Sequence, residues 1–238
     1  MAQNELVSEV EAEESAYSTD DYQGLSPDQM MHRRFGDTPI IFSAPHAVKH
    51  VRDGETKKSD LYTGGLATVL ARQMGATLVA SAGHQTVDPM RGDSDHPHKQ
   101  AILGAKVNGA RFLIDLHGMG SETAQKNGCD IGIGLGSIPS AHSGILARAY
   151  RQAGKQVGIT VKCGFSAFAA LKASGVTMFA LNKGIYAIQM EHAPSLRYGD
   201  DVQKRADTLK LHQVVLAWVV DQLPLLDQLH GGAASLEM

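Results

Sequence analysis

Phe112-Leu113-Ile114-Asp115-Leu116-His117-Gly118 is the stretch that decides the fold. A short apolar run that stops at a carboxylate, an imidazole and a glycine reads as a buried strand whose carboxyl end carries chemistry. Asp115 and His117 are two residues apart, so a regular strand projects both from one face. Two other runs repeat the pattern. Ile40-Ile41-Phe42 leads through Ser43-Ala44-Pro45 to His46, and Ile185-Tyr186-Ala187-Ile188-Gln189-Met190 leads to Glu191. Ionisable groups at three strand ends lie where open α/β sheets collect ligands.

Around these runs, strand and helix patterns alternate. Strands are expected over 39–44, 77–82, 111–116, 130–134 and 159–162, and helices over 62–74, 99–108, 140–152 and 201–223. Gly75, Gly109 and Gly154 each follow a helical pattern, where a left-handed cap is often needed, and Pro224 favours a stop after the last helix. The alternation predicts an α/β fold built in layers around one sheet. Residues 1–35 read as an acidic, flexible arm, 36–230 as a single catalytic domain and 231–238 as a disordered tail.

The chain has 238 residues, 43% of them hydrophobic, which suffices for one substantial core and does not demand a second domain. Net charge is −3, but residues 1–22 hold seven acidic side chains and no Lys or Arg, so removing those seven leaves +4 on the rest. That scattered charge is too small for a nucleic-acid footprint, though it suits a small anionic substrate. Cys129 and Cys163 are the only cysteines, which points to a reducing compartment and to small buried side chains rather than a disulfide framework. With no signal-peptide succession in 1–35 and no run of 18 apolar residues, the expectation is a cytoplasmic protein without a membrane partner.

The strand-end groups suit one divalent metal, zinc. Such a site needs neutral imidazoles and a carboxylate, with a position left for water. His46 and His117 are the imidazoles, each beside small residues that leave room. The acidic ligand comes from Asp60 or Glu55; Asp60 is preferred because it leads directly into a helix. Asp115 either orients His117 or satisfies loop amides. Glu191 emerges from an apolar strand and is the candidate general base and acid. Arg197 and Arg91 are candidate clamps for a substrate carboxylate, and ordinary ion pairs are the alternative. His96-Pro97-His98 reads as a solvated turn. Gly132-Ile133-Gly134-Leu135-Gly136 fails the dinucleotide fingerprint, and neither Ser43 nor Ser121 sits in a nucleophile elbow.

Ser43-Ala44-Pro45-His46-Ala47, Lys58-Ser59-Asp60-Leu61-Tyr62-Thr63-Gly64, Ile114-Asp115-Leu116-His117-Gly118 and Gln189-Met190-Glu191 with Arg197 together resemble the N-formylglutamate amidohydrolase family, in order over about residues 38–200. The resemblance implies a zinc carboxypeptidase-like α/β/α fold with a mixed, mostly parallel sheet. It also implies hydrolysis of the amide of an N-acylated amino acid. Carried over residue by residue, it makes His46, Asp60 and His117 the zinc ligands and Glu191 the catalytic carboxylate. Two departures stand out. Lys49 occupies the position three residues after the first His where the wider group commonly has its ligand carboxylate, and Asp88-Pro89-Met90-Arg91-Gly92-Asp93 lacks the Asn of the relatives' Arg-Asp-x-Asn element. Rival readings are a poly-gamma-glutamate or peptide hydrolase of the same fold group, and a catalytically silent metal-binding scaffold.

Overall fold

The computed structural model describes residues 3–134, 140–164 and 173–233. A seven-stranded sheet forms its centre. In chain order the strands are β1 (Met30–Arg34), β2 (Ile40–Ala44), β5 (Thr77–Ser81), β6 (Phe112–Gly118), β7 (Ile131–Gly134), β8 (Val161–Cys163) and β9 (Tyr186–His192). Their order across the sheet is β1-β5-β2-β6-β9-β7-β8. The β1–β5 and β7–β9 pairs are antiparallel and the other four pairs parallel, so the sheet is mixed and mostly parallel, as expected. Between β2 and the first expected helix, β3 (His50–Arg52) and β4 (Glu55–Lys57) form a separate hairpin.

Alternation along the strands assigns the layers. Ile40, Phe42, Ile114, Leu116, Ile188 and Met190 pack on one face, under α1 (Gln3–Tyr22), α2 (Thr63–Gln73), α5 (Ser140–Gln156) and α8 (Val202–Ala233). Ile41, Val79, Leu113 and Ala187 pack on the other, under α3 (Pro97–Val107) and α6 (Val176–Asn182). Both faces of a mostly parallel sheet are thereby covered, as its buried strands require. Two short helices, α4 (Ser121–Asn127) and α7 (Pro194–Arg197), follow the carboxyl ends of β6 and β9.

Three expectations need correction. The acidic arm does not hang free: α1 is helical from Gln3 until its geometry breaks at Thr19–Asp21, and β1 adds an edge strand to the sheet. Leu6, Val7, Val10, Glu14 and Tyr17 are buried. At three- and four-residue spacing they make one apolar stripe, sparse enough to be hidden in an acidic composition. Gly154 is no cap, since it lies inside α5, where a Cβ would come within 2.5 Å of the Ile159 carbonyl; Gly158 takes the left-handed turn instead, at φ +69°. Pro224 does not end the last helix, which runs to Ala233. Of the expected tail, 231–233 belong to α8 and 234–238 lie outside the described residues. Gly75 and Gly109 do take left-handed conformations after α2 and α3, at φ +60° and +96°.

Candidate metal centre

Register puts the strand-borne groups side by side. β6 and β9 run parallel with His117 opposite Glu191, on the sheet face covered by α3 and α6. His46 arrives from the end of β2, the strand on the other side of β6. Asp60 comes from further along the chain. The β3–β4 hairpin is an excursion that returns to its starting point, because the Asp60 amide donates to the His46 carbonyl at 2.8 Å.

The resulting geometry is two-sided. Asp60 Oδ2 lies 3.2 Å from His117 Nδ1 and 3.5 Å from His46 Nδ1, so both imidazoles turn the same nitrogen toward one carboxylate. Each opposite nitrogen meets another buried carboxylate. His46 Nε2 is 2.9 Å from Asp88 Oδ1, and His117 Nε2 is 3.3 Å from Asp115 Oδ2. The two rings meet edge to face with centroids 4.8 Å apart. His46, Asp60 and His117 offer ligand atoms all within 4.8 Å of one another. Glu55 is exposed on the hairpin, paired to Lys57, and takes no part.

Asp115 satisfies side chains rather than loop amides. Fully buried, it accepts from Ser43 Oγ at 2.9 Å and from Thr177 Oγ1 at 3.1 Å while facing His117. Ser43 also contacts His98 Nε2 at 2.9 Å, and the other ring nitrogen of His98 lies 3.4 Å from Ser81 Oγ. His98 is therefore not in a solvated turn. It is fully buried at the start of α3, where burial depresses its pKa to about 3 and leaves a neutral ring. This also removes Ser43 as a nucleophile, since its hydroxyl is committed to Asp115.

Electrostatics follow from packing many ionisable groups into little water. Burial opposes charge on Asp60, yet the two histidines outweigh it and hold the carboxyl well below its usual range. Burial likewise lowers His46 and His117, but their carboxylate partners prevail and raise both. Glu191 is raised, chiefly by burial, with His117 opposing; Gln189 Nε2 donates to its Oε1 at 2.9 Å.

Asp88, His50 and Arg52 complete the centre, and the sequence reading did not single them out for it. Arg52 Nε donates to Asp88 Oδ2 at 2.6 Å, while Nη2 sits 3.5 Å from His46 Nε2 and 3.3 Å from His50 Nε2. His50 stacks on His46 with centroids 4.1 Å apart. His46, His50 and Asp88 form a second cluster of potential ligands, but the Arg52 guanidinium already supplies its positive charge. The missed signal was Asp88 opening the Asp88-Pro89-Met90-Arg91 turn, where the amides of Arg91 and Gly92 both donate to the Asp88 carbonyl.

The two expected clamps differ from each other. Arg197 is buried and donates from Nε to the His192 carbonyl and from Nη2 to the Met119 carbonyl, both at 3.1 Å, and from Nη1 to the Leu61 carbonyl. It ties the end of β9 to the segments that follow β6 and precede α2, and is poorly disposed to turn toward a substrate. A Cβ at Gly118 would fall 2.5 Å from its guanidinium carbon. Arg91 is exposed and paired with Asp53.

No family model and no curated protein matches the chain. Solved structures do. The chain is similar to an N-formylglutamate amidohydrolase from Ralstonia eutropha JMP134, at 14% identity and TM-score 0.55 over 79% of this chain and 97% of that one. The fold is the one that enzyme adopts. A bacteriophage poly-gamma-glutamate hydrolase matches at 12% identity and TM-score 0.52, over 80% and 88%. YNDL in a zinc-free state matches at 14% and 0.52, over 79% and 89%. At such identities the likeness establishes architecture, and chemistry has to be argued from the residues. No described helix is long and apolar enough to cross a membrane.

Proposed function

We propose that the protein is a zinc-dependent amidohydrolase acting on an N-acylated amino acid such as N-formylglutamate. One observation carries the reading. Both Nδ1 atoms converge on Asp60, His46 Nε2 is hydrogen-bonded to the buried Asp88, and His117 Nε2 faces the buried Asp115 at 3.3 Å. Ligand histidines characteristically give their second nitrogen to such a partner, which fixes the tautomer and the ring orientation. Two imidazoles and one carboxylate also suit a catalytic zinc with an open position.

His46, Asp60 and His117 hold the ion in this reading. When bound, it supplies Lewis acidity toward water and the scissile carbonyl. Glu191, beside His117 and partly desolvated, accepts the proton of the attacking water and returns it to the leaving nitrogen. Arg52 is the cation best placed to hold an anionic group, because its side chain is one-third exposed and only its Nε is committed to a carboxylate, that of Asp88. Arg91 can exchange Asp53 for a substrate carboxylate at the surface, whereas Arg197 would have to abandon three carbonyls.

The test is metal analysis of the purified protein followed by assay on N-formyl and N-acetyl amino acids. The reading expects one zinc per chain, hydrolysis abolished by chelation and restored by zinc, and loss of both metal and activity in His117→Ala. Full activity after complete chelation would overturn it. Stoichiometric zinc with no hydrolysis of any acyl amino acid would overturn the substrate reading, and assay on gamma-glutamyl and peptide chains would then separate a hydrolase of longer substrates from a metal-binding scaffold.

A further inference from the structure

The acidic ligand position has an unusual foundation. Helix α2 starts three residues after Asp60, with Tyr62 at its cap in a left-handed conformation, φ +65°, and no side chain of its own sequence capping its first turn. Helices leave their first amides unpaired, and buried amides need partners. The partner is supplied from 48 residues upstream. Glu14 of α1 accepts the Tyr62 amide on Oε1 and the Gly65 amide on Oε2, both at 2.7 Å. Only 3% of Glu14 is exposed.

The same turn grips Asp60. The Thr63 amide and Thr63 Oγ1 donate to the Asp60 carbonyl, at 3.1 and 2.7 Å, and the Asp60 amide donates to His46. Asp60 is thus suspended between His46 on one side and the first turn of α2 on the other, and Glu14 holds that turn. Close approach of the helices makes this possible. A Cβ at Gly64 would lie 2.5 to 2.7 Å from the Tyr17 ring, and one at Gly65 would lie 2.5 Å from the Val10 carbonyl. Tyr17 Oη also reaches Thr68 Oγ1 at 3.0 Å, fixing α1 one turn further along α2.

We propose that Glu14 is a positioning residue for Asp60, so that the N-terminal helix is a working part of the metal centre. The inference rests on Asp60 being a ligand. Glu14→Gln preserves size but replaces one acceptor with a donor that faces a backbone amide, which disturbs the turn without emptying the space. Outer groups that orient metal ligands typically govern 10- to 100-fold of metal affinity.

The experiment measures zinc affinity of the full chain at pH 8 by competition with a chromophoric chelator, alongside thermal unfolding of the metal-free protein. Glu14→Gln should weaken zinc binding about ten-fold, and Glu14→Asp should recover part of the loss. Tyr17→Phe is the control, because it loosens the same helix pair without touching the turn; it should lower the unfolding temperature and leave zinc affinity unchanged. In an Asp60→Asn background, Glu14→Gln should cost little further affinity, since the group it positions is already altered. Unchanged affinity in Glu14→Gln, or equal losses in Glu14→Gln and Tyr17→Phe, overturns the proposal. If Glu14→Gln does not fold, Glu14→Asp and Tyr17→Phe decide by the same criterion. A wild-type chain that binds no zinc overturns the amidohydrolase reading and this inference together, whereas zinc-binding wild type with an indifferent Glu14→Gln overturns this inference alone.

Discussion

The candidate metal centre has two halves built differently. His117, Asp115 and Glu191 stand on neighbouring central strands, held by ladder register, by Ser43 of the adjoining β2 and by Thr177 of the covering α6. His46, Asp60 and Asp88 stand on connecting segments, held by a hairpin that closes on itself, an arginine and a helix from the far N-terminus. A strand fixes its side chains through many shared backbone bonds, so losing one partner leaves the rest in place. A connecting segment depends on a few identifiable ties, and each tie is a separate point of failure.

The largest expected effect tests the strand half. Glu191→Gln should lower kcat by roughly 10²- to 10⁴-fold while zinc content stays at the wild-type level. A variant with near-normal turnover would remove the chemical step from that half. Next come the two supporting carboxylates. Asp88→Asn and Asp115→Asn should each weaken zinc binding by roughly 10- to 100-fold. Their stabilities should diverge, because Asp115→Asn disturbs a fully buried network and costs about 1–3 kcal/mol in denaturant unfolding, whereas Asp88 shares its load with a partly exposed Arg52. Equal losses of stability would erase the distinction between the halves.

A smaller effect probes the helix contact. Gly64→Ala places a methyl against the Tyr17 ring and should cost about 1–3 kcal/mol. The pH dependence of stability sharpens the same point. Burial raises Glu14 to about 7 against 4.5 unfolded, with the Gly65 and Tyr62 amides, Tyr22 and Arg197 opposing. Between those values the folded chain keeps a proton that the unfolded chain has lost. Stability from this group is therefore complete below about pH 4.5 and falls as pH rises through 7, by at most about 3 kcal/mol. Glu14→Gln should flatten that slope in urea titrations. Smallest of all, Arg91→Ala removes an exposed ion pair and should change stability by less than about 0.5 kcal/mol.

The two halves also differed in how well the sequence disclosed them. Short apolar runs exposed β2, β5, β6 and β9, and with them His117 and Glu191, and the two-residue spacing gave Asp115 its shared face with His117. Asp60 was preferred over Glu55 for its place before a helix, and the folded chain brings it to both histidines. Asp88, His50 and Arg52 followed no period, because hairpin closure between distant amides leaves no mark in composition. His98 was misread for a related reason: a Pro-flanked histidine looks solvated until α3 is laid against β5 and the ring comes between Ser43 and Ser81. The N-terminal helix was hidden by its charge. Its buried positions include Glu14, an acidic residue by composition and an interior one by spacing, whose backbone partners lie far along the chain.

Gly118 carries one last consequence. The guanidinium of Arg197 fills the volume that any side chain at 118 would need, directly after a candidate ligand. Attempts to redirect the protein toward other substrates by randomising positions near the centre should therefore find 118 intolerant even of alanine. Useful diversity should instead come from the exposed bend around Arg91 and the β3–β4 tip.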